Sequence, residues 1–237
     1  MATESRSIAL APPHRLYTFG AWAVAGVVVL GFAKTYYLKV VFGTPTLSPM
    51  LHLHGLVMTL WFGLFVVQTR LVAARRLDLH RQLGLLGAFL AAAVLVVGTV
   101  TAIAAARAGR SPGPPPLIFL VVPLGDMVVF GSLVGAGLWL RGKGDFHKRL
   151  MLLSCVGILA AAIARIPLDA IAKAGPLAYF GLTDLAVIGC AAYDRLRTGR
   201  FHPAFLWGGL FVILSHWLRL AFSGTGAWMA IATWLTR

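Results

Sequence analysis

The chain is poor in charge, and above all in acids. Of its 237 residues only 12% are charged, and seven acidic side chains stand against 21 lysines and arginines. A soluble domain of this size carries roughly a quarter charged residues, so an ordinary water-exposed surface is excluded. Asparagine is absent, which rules out N-x-S/T glycosylation. The only glutamate is Glu4, so any proton relay within the apolar segments must use aspartates and histidines. The two cysteines, Cys155 and Cys190, both fall in apolar stretches, which argues against a disulfide framework and reads as buried small side chains. No CxxC, zinc-finger spacing, GxSxG, HExxH or P-loop occurs.

What is abundant is apolar residue, 59% of the chain, in runs that reach or approach the ~20 residues needed to cross a ~30 Å hydrocarbon core. The pattern predicts an all-α, polytopic membrane protein with seven spans. Span 1 is expected over 15–42, span 2 over 49–70, span 3 over 81–107 and span 4 over 116–140. Span 5 is expected over 148–172, span 6 over 177–196 and span 7 over 203–223. Residues 1–14 read as a cytoplasmic tail, 15–223 as the membrane domain, and 224–237 as a Trp-containing helix too short to cross, suited to the outer interface. The N-terminus lacks a signal peptide's cleavage site, so the first run is expected to stay in the mature protein.

The excess of +14 does not call for nucleic acid. The basic residues lie mostly in short loops, and eleven of them sit in the 2–3, 4–5 and 6–7 loops on one side (Arg70, Arg75, Arg76 and Arg81; Arg141, Lys143, Lys148 and Arg149; Arg195, Arg197 and Arg200). The positive-inside rule makes that side cytoplasmic in a bacterial inner membrane, with the N-terminus inside and the C-terminus outside. A weak internal repeat agrees: Asp78-Leu-His80-Arg-Gln-Leu returns as Asp145-Phe-His147-Lys-Arg-Leu, and Phe201-His202-Pro203 opens span 7 in the same manner. The chain therefore reads as span 1 plus three helical hairpins, with His80, His147 and His202 as interfacial helix-start residues.

Ionisable groups inside such spans mark function by default, because each costs several kcal/mol facing lipid. At 1.5 Å per residue His54 lies roughly 8 Å in from the start of span 2, Asp126 roughly 15 Å into span 4 and Asp184 roughly 12 Å into span 6. Entering from the other side, Arg165 lies roughly 26 Å along span 5, and His216 and Arg219 roughly 20 and 24 Å along span 7. All fall in the middle or outer half, with Lys34 and Asp169 at its rim, and no matching cluster is expected in the inner half. They predict an outward-facing polar pocket, with His52 at its rim, open to a small molecule. A structural account stands beside it: Asp126 and Asp184 as ion-pair partners of Arg165 and Arg219, with Arg165 also able to pair with Asp169 at i,i+4.

Histidines on two facing helices can hold haem iron or a metal, and His54 and His216 share a depth. His52 and His54, two residues apart, face different ways on a regular helix, so His54 is the inward one. The segment His54-Gly-Leu-Val-Met-Thr-Leu-Trp-Phe resembles the HG-x-x-M-x-x-x-F helix that carries a haem-ligating histidine in haem–copper oxidase catalytic subunits. That resemblance covers about ten residues and implies haem b at His54; the paired histidines for copper and the twelve-helix length are lacking. The chain as a whole, with its LHR and FHKRLMLL openings, is similar to a bacterial family of seven-helix integral membrane proteins, which implies a fold and no activity.

Three functions stay open: a pocket for a small ligand or redox cofactor (haem b or a divalent metal, at His54 and His216), an ion- or proton-coupled transporter or channel, and a non-catalytic subunit or sensor. A retinal protein of the usual arrangement is excluded because span 7 has no lysine. A three-histidine zinc hydrolase of the seven-helix receptor type would want a second histidine there.

Overall fold

The computed structural model describes residues 15–237. The tail predicted over residues 1–14 lies outside the described residues. Among the described residues all regular structure is helical, and seven helices are long and apolar enough to cross a membrane: Arg15–Tyr37, Pro49–Ala73, Leu77–Arg107, Pro116–Trp139, Gly144–Ile163, Pro176–Thr198 and Pro203–Phe222. These are spans 1 to 7. Connections of three to twelve residues join consecutive spans, which run antiparallel, so the three basic loops lie at one end of the bundle.

Helix starts follow their local chemistry. Pro49, Pro116, Pro176 and Pro203 each occupy the first helical position, where a missing N–H costs nothing. Ser48 caps span 2 by accepting the Leu51 N–H, and the His202 side chain caps span 7 through Ala204.

Span 5 is the axis of the bundle. Of its apolar window 72% is buried, against 17% for span 3, and it packs on spans 1, 4, 6 and 7. Its approach to span 1 is set by Gly31, where any Cβ would run into the Ala162 carbonyl. Span 2 packs on spans 1 and 3, and span 7 on spans 4, 5 and 6. Span 3 turns Leu85, Phe89 and Val96 outward as a lipid-facing surface.

Spans 1, 3 and 5 differ most from the sequence expectation. Span 1 ends at Tyr37 in a π-helical turn, Ala33–Tyr37, closed by the Leu38 N–H on the Ala33 carbonyl. Span 3 begins one turn earlier, with Asp78 in its first turn, where a carboxylate suits the helix dipole. Span 5 runs from Gly144 and ends at Ile163, because Pro167 removes a donor and restricts Ile166 before it. The chain then forms the short helix Asp169–Ala174 at the non-basic end. The C-terminal helix Gly226–Leu235 folds over the same end, where Trp228 Nε1 donates to the Leu117 carbonyl at 2.8 Å and Arg107 Nε to that of Thr236 at 3.1 Å.

Candidate functional site

Span 7 carries the site on one face. Gly208, Gly209, Val212, His216 and Arg219 recur at helical spacing and are all buried. In the half away from the basic loops this face meets spans 4 and 6, and two charged units form.

The first joins Arg219 to Asp126. Nη1 of Arg219 donates to Asp126 Oδ1 at 2.6 Å and to the Val122 carbonyl at 2.8 Å. Its Nε donates to the Ser215 carbonyl at 2.9 Å and its Nη2 to Ser215 Oγ at 3.2 Å. The guanidinium is thus held on several sides, within protein. It reaches span 4 by passing over Gly125, where a Cβ would overlap Arg219 Cδ.

The second joins Asp184 to His216. One carboxylate oxygen lies 2.7 Å from His216 Nδ1, and the other accepts Trp217 Nε1–H at 3.0 Å. A carboxylate only accepts, so Nδ1 of His216 carries the proton it donates to Asp184. His216 is fully buried, and its Nε2 has no partner. Phe180 stacks on the ring at 4.6 Å between centroids and 16° between planes, and the Arg219 guanidinium carbon lies 5.5 Å from the same Phe180 ring. Asp184 also lines an apolar groove of 520 Å³ between Asp169–Ala174 and span 6, walled by Ile171, Leu177, Gly181, Leu182 and Ile188.

Asp126, Asp184, His216 and Arg219 therefore come together as a group across spans 4, 6 and 7. The other predicted residues stand apart. His52 is exposed, near the Tyr36 ring, whereas His54 is half-buried with an unpartnered Nδ1, so the two histidines do diverge. His54 belongs to the wall built by spans 1, 2 and 3. Arg165 is exposed at the end of span 5, with its guanidinium 4.8 Å from the Phe32 ring centroid and its Nη1 on the Ala161 carbonyl. Neither Asp126, Asp184 nor Asp169 pairs with it. The aspartates that sequence depth matched to Arg165 and Arg219 go to His216 and Arg219 instead.

The expectation that the inner half carries no charge cluster is overturned. Arg149 of span 5 and Asp194 of span 6 are both buried at the basic end and form a two-pronged ion pair, Nε–Oδ2 3.0 Å and Nη2–Oδ1 2.7 Å. Counting Arg149 as a loop residue concealed it, since span 5 starts at Gly144. In sequence Asp194 stands two residues before the expected end of span 6 and gives little signal; in the structure the helix runs on to Thr198 and the carboxylate is buried. The helix-start histidines also meet protein: His147 Nδ1 lies 2.8 Å from the Gly137 carbonyl, His80 lies edge-on to His147, and Phe146 to His202.

Seven apolar crossings with charges turned inward define a multi-pass integral membrane protein embedded in a lipid bilayer. No family model, curated protein or solved structure matches the chain.

Proposed function

We propose that the protein binds a small lipid-soluble molecule at the Asp184–His216 pair, in the half of the membrane away from the basic loops. By the positive-inside rule that half is the outer side of a bacterial inner membrane. The observation that carries this reading is the double role of Asp184. Its carboxylate fixes the His216 tautomer and orientation, and it also forms the one polar point on the wall of an apolar groove. A ligand with an apolar body and one hydrogen-bonding group fits such a wall, which gives area to the body and orientation to the head. The Asp126–Arg219 unit acts beside it as a lock that sets the register of spans 4 and 7.

Haem iron or a divalent metal is the competing occupant. The donor chemistry suits one: a carboxylate on Nδ1 raises the basicity of a ligating imidazole, and His216 Nε2 and His54 Nδ1 both lack partners. His216 would hold it, with His54 standing apart on the wall of spans 1 to 3, and bound iron would supply one-electron chemistry. Among the described residues no three His, Cys, Asp or Glu side chains converge, so a closed protein-ligated metal site is not formed.

The test uses the full chain purified gently in neutral detergent. Native mass spectrometry after exposure to host-membrane lipid extract is expected to show a retained small molecule. Gly181→Phe, which fills the groove at a position whose Cβ direction is open, is expected to abolish retention without changing thermal stability. Equal retention by Gly181→Phe overturns the assignment, and a Soret band lost in His216→Phe reassigns the site to haem.

A second reading, an ion-coupled transporter, draws on the turn at residues 157–159 that interrupts span 5 and on buried charge in both halves. Proton- or ion-coupled uptake in proteoliposomes, absent in Asp126→Asn, would favour it over simple binding.

A further inference from the structure

A second pocket opens at the basic end, 320 Å³ in volume, between the starts of spans 1 and 5, the end of span 6 and the 6–7 loop. Four cations line it, Lys148, Arg149, Arg197 and Arg200, against two carboxylates, Asp145 and Asp194. The surplus is two positive charges. The internal bonds show which cations are committed. Arg149 is taken up by both oxygens of Asp194 and by the main chain and Oδ1 of Asp145. Lys148 pairs with Asp145 at 2.5 Å.

The two guanidiniums of span 6 and its loop are not committed. Arg197 makes only a long 3.3 Å hydrogen bond, to the Tyr193 hydroxyl, and Arg200 has no side-chain partner among the described residues. On the opposite wall the Tyr17 hydroxyl is buried, also without a partner among the described residues. Among these residues two uncommitted guanidiniums, an unpartnered phenolic O–H and a net charge of plus two therefore face one pocket.

We propose that this pocket binds a phosphate group. Phosphate carries one to two negative charges and several acceptor oxygens, and guanidiniums meet it through paired N–H donors. The buried Arg149–Asp194 pair is the floor of the site, tying spans 5 and 6 together beneath it. The pocket stands at the membrane face that carries the basic loops, beside the phosphates of anionic lipids. The phosphate can belong to such a lipid headgroup or to a soluble phosphate compound, and the two are separable by experiment.

The full chain in neutral detergent is titrated with phosphatidylglycerol, phosphatidylcholine and inorganic phosphate, and thermal unfolding is followed. Phosphatidylglycerol is expected to raise the unfolding temperature by several degrees and phosphatidylcholine not to. The double variant Arg197→Gln, Arg200→Gln is expected to weaken the response at least about tenfold, with the unfolding temperature in detergent alone unchanged. Tyr17→Phe should weaken it about threefold. A response to phosphatidylglycerol that inorganic phosphate neither reproduces nor competes assigns the site to lipid; a response to millimolar phosphate assigns it to a soluble compound. Equal responses to phosphatidylglycerol and phosphatidylcholine, no response to any of the three, or an unchanged response in the double variant overturn the proposal.

Discussion

Arg149 and Asp194 face each other across spans 5 and 6 with both carboxylate oxygens engaged, and their side chains are 4% and 7% exposed. Span 5 is the most buried helix and touches four others, so this pair ties the axis of the bundle to its wall. Removing Asp194 leaves the buried Arg149 with only the exposed carboxylate of Asp145, at 3.3 Å, to balance its charge. Asp194→Ala is expected to destabilise by about 3–5 kcal/mol, the usual cost of an uncompensated buried charge. The double variant Arg149→Met, Asp194→Leu should recover most of the loss. Denaturation of the purified variants in one detergent checks both, and a double variant no more stable than Asp194→Ala would refute the pairing as the cause.

The same logic separates lock from site at the other end. Asp126→Asn removes the charge opposite Arg219 and should lower stability by several kcal/mol. It should leave ligand retention by the folded protein unchanged, because Asp184 and His216 keep their own contacts. Asp184→Asn should do the reverse: the amide still meets Trp217 or His216 but fixes the imidazole tautomer poorly, so retention falls more than stability. Native mass spectrometry and thermal unfolding on one set of samples give both readouts. Parallel losses in both variants would mean that the four residues act as one unit.

How much of this could be read from the chain depends on dimension. Hydropathy and proline placement give position along the membrane normal, which is why the seven spans and the shared depth of Asp126, Asp184, His216 and Arg219 were legible. Pairing depends on azimuth, which only packing decides, and several azimuths were misjudged. Depth placed Arg165 with the aspartates, yet Pro167 ends the helix and turns that side chain onto Phe32. Arg149 and Asp194 were hidden for a different reason. Their neighbours Asp145, Lys148 and Arg195 are loop-like in composition, and burial of two among many charges leaves little trace in a local pattern.

Gly125 tests whether the route of Arg219 over span 4 matters. A methyl group there would occupy the space of Arg219 Cδ, so Gly125→Ala must displace the side chain from Asp126. The expected loss is about 1–3 kcal/mol, the usual cost of overpacking. In an Arg219→Ala background the same change should be close to neutral, since the obstructing atoms are gone. The cycle of four proteins isolates the coupling. An equal cost in both backgrounds would place the strain in the helix backbone and not in the Arg219 contact.

His202 supplies a pH dependence with a definite sign. Its Nδ1 accepts the Ala204 N–H at 3.1 Å, which caps span 7 and requires that nitrogen to be unprotonated. Burial first, and then the positive charge of Arg149, hold the imidazole below its ordinary value of 6.5; the carboxylates of Asp194 and Asp145 oppose this more weakly, and Arg200 adds to it. A base with a lowered folded pKa is protonated more readily in the unfolded chain. Its contribution to stability is therefore complete above about pH 6.5 and is lost progressively as pH falls below that value. Protonation would also set a positive charge at a helix N-terminus, where the dipole disfavours it. Unfolding temperatures between pH 7.5 and 5 should decline accordingly, and His202→Asn, which keeps a capping oxygen without the titration, should flatten that part of the profile. A slope unchanged in His202→Asn would move the titration to another group, since the asparagine cannot take up a proton anywhere in that range.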